Sequence, residues 1–501
     1  MILHRRIWAA APPRREAGLD LLAGAAIALG QAPLSAWYLA FPALIWAMAR
    51  MLRPDGAMAS GWSGLLVGAG YFGASLNWIV SPFFVDPWVY GWMAPFAVVL
   101  MAFGFGLFWA IANALSARFP LRPLALAAGL GAVELVRGHI LTGFPWALLG
   151  HLWHDWPAIQ LVSILGATGL TVATLALAAL PLIWRWPGVG LAVGGVALAT
   201  GYGLWRLDLP DPVSREVTLR LVQPNAEQHL KWNPDQARTL FQRQLDFTRD
   251  GTPADLTIWP ETAVPYLLEY SPELAPIIAS SANGNKVAVG MQRVEGDRGW
   301  NSLRVIEGEG LVTATYDKFH LVPFGEYMPF GDLMQDWFGI GAFAAQVGNG
   351  YSAGTGPEVI DLGPELGLVL PLICYEAVFP QIPRAAPRRP DWMLQITNDA
   401  WFGTLTGPFQ HLEQARLRAI EQGLPLIRVA NTGVTGVIDA RGRILQALPF
   451  ATAGYLDVAE VPGALPPTLY ARWGENLTIL LIFSLFAASM RRRAPASLDA
   501  L

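Results

Sequence analysis

The chain has 501 residues, of which 53% are hydrophobic and only 14% are Asp, Glu, Lys or Arg. Soluble globular proteins carry about 25% charged residues, so this composition excludes an ordinary soluble enzyme and predicts that much of the chain faces lipid. A net charge of -4 argues against a nucleic-acid-binding protein, which needs a basic surface. The single cysteine, Cys374, excludes an intramolecular disulfide and a multi-cysteine metal site.

The charged residues are unevenly distributed along the chain. Only 16 of them lie in residues 1–205, whereas 56 lie in 206–501. A helix that crosses a bilayer needs about 20 mostly apolar residues, and we predict seven such helices before residue 207 and an eighth near the C-terminus. Gln31-Ala32-Pro33 divides the first apolar run into two helices. The predicted helices cover about 18–33, 36–52, 57–79, 89–115, 122–138, 160–183, 187–206 and 476–490.

Basic residues predict the orientation of these helices, because positively charged loops stay on the cytoplasmic side. Every second loop is basic, and the connections between them carry almost no positive charge. The pattern therefore predicts cytoplasmic termini and an extracytoplasmic position for the polar segment after the seventh helix. The basic residues are Arg5, Arg6, Arg14 and Arg15 before the first helix, Arg50 and Arg53 after the second, Arg118 and Arg122 after the fourth, and Arg185 after the sixth.

These patterns predict four segments: a membrane domain in 1–206, an extracytoplasmic domain in 215–462, a membrane helix in 472–493 and a cytoplasmic tail in 494–501. In 215–462, short apolar strands alternate with amphipathic helices. Such alternation predicts an α/β domain whose helices cover the faces of its sheets.

Two motifs in the membrane domain suggest binding sites but have simpler interpretations. Gly68-Ala69-Gly70-Tyr71-Phe72-Gly73 matches a dinucleotide-binding pattern, yet it lies in a charge-free apolar run rather than after a strand. We therefore interpret Gly64, Gly68 and Gly70 as small residues that allow close helix packing. We interpret His151, His154 and Asp155 as surface polar groups in an interfacial loop, and we predict no metal site.

Three polar residues, Glu261, Lys318 and Cys374, each follow an apolar segment in 215–462. Strand ends are where α/β folds place their active sites. Each residue alone has an ordinary structural explanation, but together they supply a base, a cation for an oxyanion and a nucleophile, as acyl transfer requires. A helix beginning at Cys374 would further favour its thiolate.

The motifs around these residues resemble those of the nitrilase, or carbon–nitrogen hydrolase, superfamily. The apolar helices before and after the domain extend the resemblance, over nearly the whole chain, to the apolipoprotein N-acyltransferases of Gram-negative bacteria. It implies a polytopic membrane protein of about eight helices that carries a nitrilase-like αββα sandwich. The motifs are Trp259-Pro260-Glu261, the run from Asp317-Lys318 to Glu326, Cys374-Tyr375-Glu376, the run from Leu141 to Trp146 and the run from Thr468 to Trp473.

The resemblance also implies a ping-pong acyl transfer through a thioester. Glu261 would take the thiol proton of Cys374, the thiolate would attack an ester of a phospholipid such as phosphatidylethanolamine, and Lys318 would hold the oxyanion. The acyl chain would then pass to the α-amino group of the N-terminal S-diacylglyceryl-cysteine of a lipoprotein. The resemblance assigns Glu326 and Glu376 to orienting Lys318 and the acceptor amine, and it places Tyr375, Trp232 and Trp401 along the site.

The same resemblance implies a monomer in the bacterial inner membrane with its catalytic domain in the periplasm. No cofactor is implied, because the sequence contains neither a convincing phosphate-binding loop nor a metal cluster. The apolar segment Leu333–Val347, within 331–352, suggests a lid that dips into the outer leaflet, or alternatively a segment that packs on its own domain.

Two alternatives to a transferase remain at this stage. A membrane-anchored amidase of the nitrilase type would keep the three catalytic groups, although eight helices exceed what an anchor needs. A transporter with an extracytoplasmic binding domain would place ionisable residues deep within its helices. We expect none at a helix midpoint, because Glu134 and Arg137 lie near a helix end.

Overall fold

A computed structural model describes residues 10–231, 233–329 and 350–491, with Pro234 described by its backbone alone. Two compact units make up the chain. The first contains the residues up to Leu209 and those from Arg472 onward, and the second contains Pro210–Ala471. We call them the helical unit and the sheet unit.

The described part of the helical unit contains eight helices of 14 residues or more. The chain between the first two is interrupted at Gln31-Ala32-Pro33, as the sequence predicts. The helices are α1 (Arg14–Ile27), α2 (Trp37–Met51), α3 (Ala57–Ser75), α4 (Ala94–Ser116), α5 (Arg122–Arg137), α6 (Val162–Trp184), α7 (Trp186–Leu207) and a C-terminal helix (Asn476–Ser489). Shorter helical segments cover Ala28–Gly30, Asn77–Phe84, Pro87–Tyr90, Gly91–Met93, Leu149–Trp153 and Pro157–Leu161.

Three helical stretches among the described residues are long and apolar enough to cross a membrane. They are Pro87–Ser116, Pro157–Trp184 and Trp186–Leu207, and the bent pair Ala57–Ser75 and Asn77–Phe84 would form a fourth. Large apolar side chains are exposed on α4 and α7, where Leu100 is 72% and Leu198 is 78% exposed. Contiguous exposed apolar side chains are costly in water, so these faces suit a lipid environment.

Glycines allow α3 to pack closely against its neighbours, which confirms their predicted role. A Cβ atom on Gly70 would lie 2.0 Å from the carbonyl oxygen of Leu21 in α1. On the side of α4, a Cβ on Gly64 would lie 2.6 Å from the carbonyl oxygen of Trp109. Both contacts involve backbone atoms, which a side-chain rotation cannot relieve.

Two buried arginines of the helical unit, Arg50 and Arg137, form ion pairs with buried carboxylates. Because α1 begins at Arg14, Asp20 lies at the middle of that helix, and the expectation of no ionisable residue at a helix midpoint is wrong. Arg50 donates from Nε to the Asp20 carboxylate at 2.5 Å. At the end of α5, Arg137 pairs with Glu134. Each pair neutralises its own charge in place, which explains how these residues are buried.

His151 and His154 are buried, so our interpretation of them as surface groups is wrong. His151 lies in a buried 3₁₀ helix, Leu149–Trp153, and His154 directly follows that helix. One ring nitrogen of His154 lies 2.7 Å from the His151 carbonyl oxygen, and the other lies 2.7 Å from the Ser35 hydroxyl. Both ring nitrogens of His154 therefore form hydrogen bonds within the helical unit.

The described part of the sheet unit contains two six-stranded sheets. The first has the order β12-β1-β2-β3-β4-β5, with β1–β2 and β2–β3 parallel. The second has the order β11-β10-β9-β8-β7-β6, with β7–β8 and β8–β9 parallel. The strands are β1 (Leu219–Gln223), β2 (Leu256–Ile258), β3 (Lys286–Glu295), β4 (Arg298–Glu307), β5 (Leu311–Asp317), β6 (Ile360–Asp361), β7 (Leu368–Ile373), β8 (Trp392–Thr397), β9 (Leu426–Ala430), β10 (Thr435–Ile438), β11 (Ile444–Leu448) and β12 (Gly454–Val458).

Helices cover the outer faces of both sheets, which makes the unit an αββα sandwich. The helices are α8 (Pro234–Arg249), α9 (Leu274–Ser281) and α10 (Gly407–Gln422), with a single turn at Gln381–Arg384. A further turn, Leu469–Trp473, lies where the sheet unit ends in the sequence and the helical unit resumes. Apolar residues of α8 and α9 pack on the first sheet, and α10 contacts β9 of the second. Between the sheets, side chains such as Ile258 and Ile373 form one buried core.

Replacing Gly70 by alanine should destabilise the helical unit, because the added methyl group would collide with the backbone of α1. We expect a loss of about 1–3 kcal/mol, as for other overpacked interiors. The matched control is Gly104→Ala in α4, where nothing lies within 4 Å of the added atom. Size-exclusion chromatography after heating in detergent would measure the folded fraction, and equal resistance of the two variants to heat would contradict this packing.

Candidate active site

The three predicted residues lie at the carboxyl ends of strands from both sheets. Glu261 is the third residue after β2, Lys318 directly follows β5, and Cys374 directly follows β7. All three are buried, with exposed fractions of 6%, 0% and 5% in that order. Lys318 Nζ lies 3.6 Å from Glu261 Oε1, and both charges act on the Cys374 thiol. The fold therefore brings together residues that are far apart in sequence.

Lys318 is a buried cation enclosed by two carboxylates. Its Nζ donates to Glu326 Oε1 at 2.9 Å and also lies near Glu261. Burial by itself would lower the pKa of Lys318, but the negative charges of Glu326 and Glu261 outweigh it and raise that pKa well above its ordinary value. Lys318 is thus a permanent positive charge in the site.

Hydrogen bonds from both sheets fix the orientation of the Glu261 carboxylate. Asn301 in β4 donates from Nδ2 to Glu261 Oε1 at 2.7 Å. The backbone N–H of Asn398, which follows β8, donates to Glu261 Oε2 at 2.8 Å. The same Asn301 amide group donates to Glu326 at 3.0 Å, so it ties the two carboxylates together.

Cys374 has an unusual backbone conformation and a thiol that burial keeps protonated. Its φ of 51° lies in the left-handed region, which non-glycine residues rarely adopt. Burial and then the Glu261 charge raise the pKa of the thiol well above its ordinary value, against the opposing effects of Lys318 and a hydrogen bond with Thr397. The helix that begins at Cys374 is a 3₁₀ segment of five residues.

The two further carboxylates that the sequence singled out have different surroundings. Glu326 contacts Lys318, as expected. Glu376 accepts four hydrogen bonds from within the protein, from the backbone N–H groups of residues 373, 319 and 320 and from the hydroxyl of Tyr316. It therefore joins the Cys374 turn to the Lys318 loop. Burial raises the pKa of Glu376 to about 7, although the backbone N–H groups oppose this shift.

The predicted aromatic residues are described only in part. Tyr375 is buried and packs against His320 and Phe379, with ring centroids 5.8 and 4.8 Å away. Trp401 lies in the half-buried 3₁₀ segment Asp399–Phe402. Trp232 and most of the predicted lid, including Leu333–Val347, lie outside the described residues.

Sequence reasoning missed a buried polar network behind Cys374. The carbonyl oxygen of Cys374 lies 3.1 Å from His411 Nε2 and 3.2 Å from the donating Nε2 of Gln395. His411 Nδ1 in turn lies 2.8 Å from Asp399, which also pairs with Arg428. Burial would raise the pKa of Asp399, but Arg428 and His411 lower it to about 2. This network holds the peptide of the strained Cys374.

One sequence signal for this network was present. Asn398 and Asp399 follow the continuous apolar strand 393–397, just as the three predicted residues follow theirs. A second missed residue, Lys231, is buried beside Glu261 and is one of only three lysines in the chain. In a sequence whose other 31 basic residues are arginines, that rarity is itself a signal.

Comparison with known proteins gives matches over nearly the whole length of the chain. Residues 23–180 match the family described as apolipoprotein N-acyltransferase N-terminal domain, and 218–463 match carbon-nitrogen hydrolase. The apolipoprotein N-acyltransferase of Rhodopseudomonas palustris is 37% identical, covering 96% of each chain. The chain belongs to the apolipoprotein N-acyltransferase family.

Other relatives with that name agree. The protein from Bradyrhizobium diazoefficiens is 38% identical, covering 96% of this chain and 95% of its own, and the one from Caulobacter vibrioides is 39% identical, covering 86% of each. Among solved structures, an amidase from Nesterenkonia sp. is 18% identical, with a TM-score of 0.37, and the match covers 54% of this chain and 97% of that chain. The family assignment rests on the sequence matches.

Replacing Asp399 by asparagine should destabilise the sheet unit by about 3–5 kcal/mol, because it leaves the buried Arg428 without a carboxylate. The depressed pKa of Asp399 also stabilises the wild type above pH 3.8, and this contribution is lost as the pH falls towards about 2. Asp399→Asn should not show this loss of stability as the pH falls.

Thermal unfolding at pH 7 and between pH 2 and 4 would measure both effects. Asp246→Asn is the control, since its pair with Arg249 is exposed and should contribute less than about 1 kcal/mol. An unfolding midpoint for Asp399→Asn as high as that of the control would show that the network does not support the site.

Proposed function

We propose that this protein N-acylates lipoproteins at their N-terminal S-diacylglyceryl-cysteine, using an acyl chain from a phospholipid and a thioester on Cys374. The observation that carries this proposal is the convergence of Glu261, Lys318 and Cys374 in a buried site. Membership in the acyltransferase family favours it over the amidase and transporter alternatives.

In the first half of the reaction, Glu261 takes the proton of the Cys374 thiol. The sulfur attacks the ester carbonyl carbon, and Lys318 stabilises the negative charge that develops on the oxygen. The new C–S bond forms as the ester C–O bond breaks. Glu261 returns the proton to the departing oxygen, and a lysophospholipid leaves. Because burial keeps the resting thiol protonated, the reaction requires a base at this position.

In the second half, the free α-amino group of the lipoprotein attacks the thioester carbonyl. The amide C–N bond forms, the C–S bond breaks, and the amine's proton returns through Glu261 to the sulfur of Cys374. Burial of the three groups keeps water away from the thioester while the enzyme waits for its acceptor. Glu326 holds Lys318 in position during both halves.

The membrane helices give the enzyme access to its substrates. Drawing each CH₂ group of an acyl chain into water costs about 0.8 kcal/mol, so a soluble enzyme would work against a large extraction cost. We propose that 1–206 and 472–493 form eight membrane-crossing helices, that 215–462 lies in the periplasm, and that 494–501 lies in the cytoplasm. The alternating arginine-rich loops support this orientation.

The remaining assignments follow the same reasoning. We propose phosphatidylethanolamine as the donor and a monomer in the bacterial inner membrane as the active form. Helices α1, α2, α5 and the C-terminal helix have 14–16 residues, and they would cross the membrane together with their flanking segments.

Purified protein incubated with phosphatidylethanolamine should gain the mass of one acyl chain on Cys374, measured by intact mass spectrometry. Adding an S-diacylglyceryl peptide with a free amino group should remove that mass and yield an N-acylated peptide. Glu261→Gln should form the adduct at least about 100-fold more slowly, because the thiol loses its base.

Cys374→Ala should gain no mass, and Cys374 is the chain's single cysteine, so the adduct has one expected position. An adduct that persists in Cys374→Ala, or a wild-type adduct that the acceptor peptide cannot remove, would overturn the proposed mechanism.

A further inference from the structure

Lys231 is a buried lysine close to the site that the mechanism above does not use. It lies in the turn before α8, and its exposed fraction is 6%. Buried lysines are rare in proteins, because removing an ammonium group from water is costly unless other charges compensate for it. The groups around the Lys231 ammonium therefore indicate its role.

The Lys231 ammonium group is bonded to the turn that carries Glu261. Its Nζ donates to Thr262 Oγ1 at 2.6 Å and to the backbone carbonyl oxygen of Glu261 at 3.2 Å. Thr262 has a φ of 47°, so this turn contains a left-handed residue that needs support. The bonds place a cation directly behind the proposed base.

Among the described residues, the negative groups that act on the Lys231 charge are Glu261 and, once its thiol is ionised, Cys374. Apart from Glu261, the other side chains that line the small pocket beside Lys231 are uncharged, either apolar or, like Gln244 and Asn431, neutral and polar. Burial lowers the pKa of Lys231 to about 8, although Glu261 and Cys374 act in the opposite direction. The amine is therefore mostly protonated at pH 7 and mostly neutral at pH 9.

A charge balance shows why a second cation matters. Lys318 carries one positive charge but contacts two carboxylates, Glu261 and Glu326, so these three groups together have a net charge of about -1. Transfer of the thiol proton to Glu261 moves the negative charge to sulfur without changing that total. A protonated Lys231 brings the total to zero whichever of Glu261 and Cys374 holds the negative charge, and this lowers the cost of burying these groups in a site of low dielectric constant.

We propose that Lys231 is a positioning residue whose ammonium group holds the turn that carries Glu261, so that Glu261 is placed to take the Cys374 proton, and that acyl transfer slows in mildly alkaline solution as this group loses its proton. This inference rests on the proposed function, because it concerns the thiolate that forms the thioester.

The test measures the rate of thioester formation on the full-length protein between pH 6 and 9.5, with phosphatidylethanolamine in detergent. The wild-type rate should fall about tenfold between pH 7 and 9. Lys231→Met should be about tenfold slower at pH 7 and should show no such fall. Lys231→Arg keeps its charge across this range, so its rate at pH 9 should lie within about threefold of its own rate at pH 7.

Lys286→Met is the matched control, because Lys286 pairs with Glu307 at the partly exposed start of β3. It should behave as wild type. Size-exclusion chromatography and thermal unfolding show whether each variant is folded, and the pH profile of the wild type tests the proposal without any substitution.

Alkylation of the single cysteine by iodoacetamide provides a readout that does not depend on an acyl donor. At pH 7, folded Lys231→Met should react about tenfold more slowly than Lys286→Met. If that difference appears while no protein forms a thioester, the inference holds and the proposed function fails. A folded Lys231→Met that keeps both the wild-type rate and the wild-type alkaline fall would overturn the inference and leave the proposed function intact.

Discussion

The chemistry that we propose for this protein depends on an ammonium group, that of Lys318, enclosed between the carboxylates of Glu261 and Glu326. Buried charges are costly, and each of these three would be unstable without the others. Together they form a dry site whose electrostatics are already arranged for an oxyanion, so little reorganisation is needed during the reaction. Burial keeps the neighbouring thiol protonated in the resting site.

The sandwich explains how such a site is held. Glu261 and Lys318 come from the first sheet and Cys374 from the second, and hydrogen bonds connect the two across the site. Glu376 joins the Cys374 turn to the Lys318 loop, while Asp399 and His411 support the carbonyl of Cys374 from behind. Most polar residues around the site therefore maintain geometry, and only a few carry the chemistry.

Much of this arrangement was predictable from sequence. The apolar strands before Glu261 and Cys374 predicted the α/β fold and the position of these residues at strand ends, because local patterns determine strands and strand ends. The glycine-rich run of α3 predicted close packing for the same reason, since small residues in an apolar helix have few other uses.

Other features depend on contacts between distant residues, and no local pattern reveals them. The four hydrogen bonds of Glu376 come from three separate segments. The Cys374-Tyr375-Glu376 motif alone therefore did not reveal that Glu376 connects the Cys374 turn to the Lys318 loop. The burial of His154 depends on how the helical unit folds. Asp20 lies at mid-helix because α1 begins at Arg14, and no side chain caps that end of the helix to mark its start. Burial, rather than residue type, was the missing information.

A double-substitution cycle on Glu261 and Lys318 tests the central claim most directly. The rate of thioester formation would be measured for Glu261→Gln, Lys318→Met and the protein with both changes. Groups that act as one unit lose their function together, so the double variant should be no more than about tenfold slower than the slower single variant. Losses that multiply would show that the two residues act independently, and they would contradict this account.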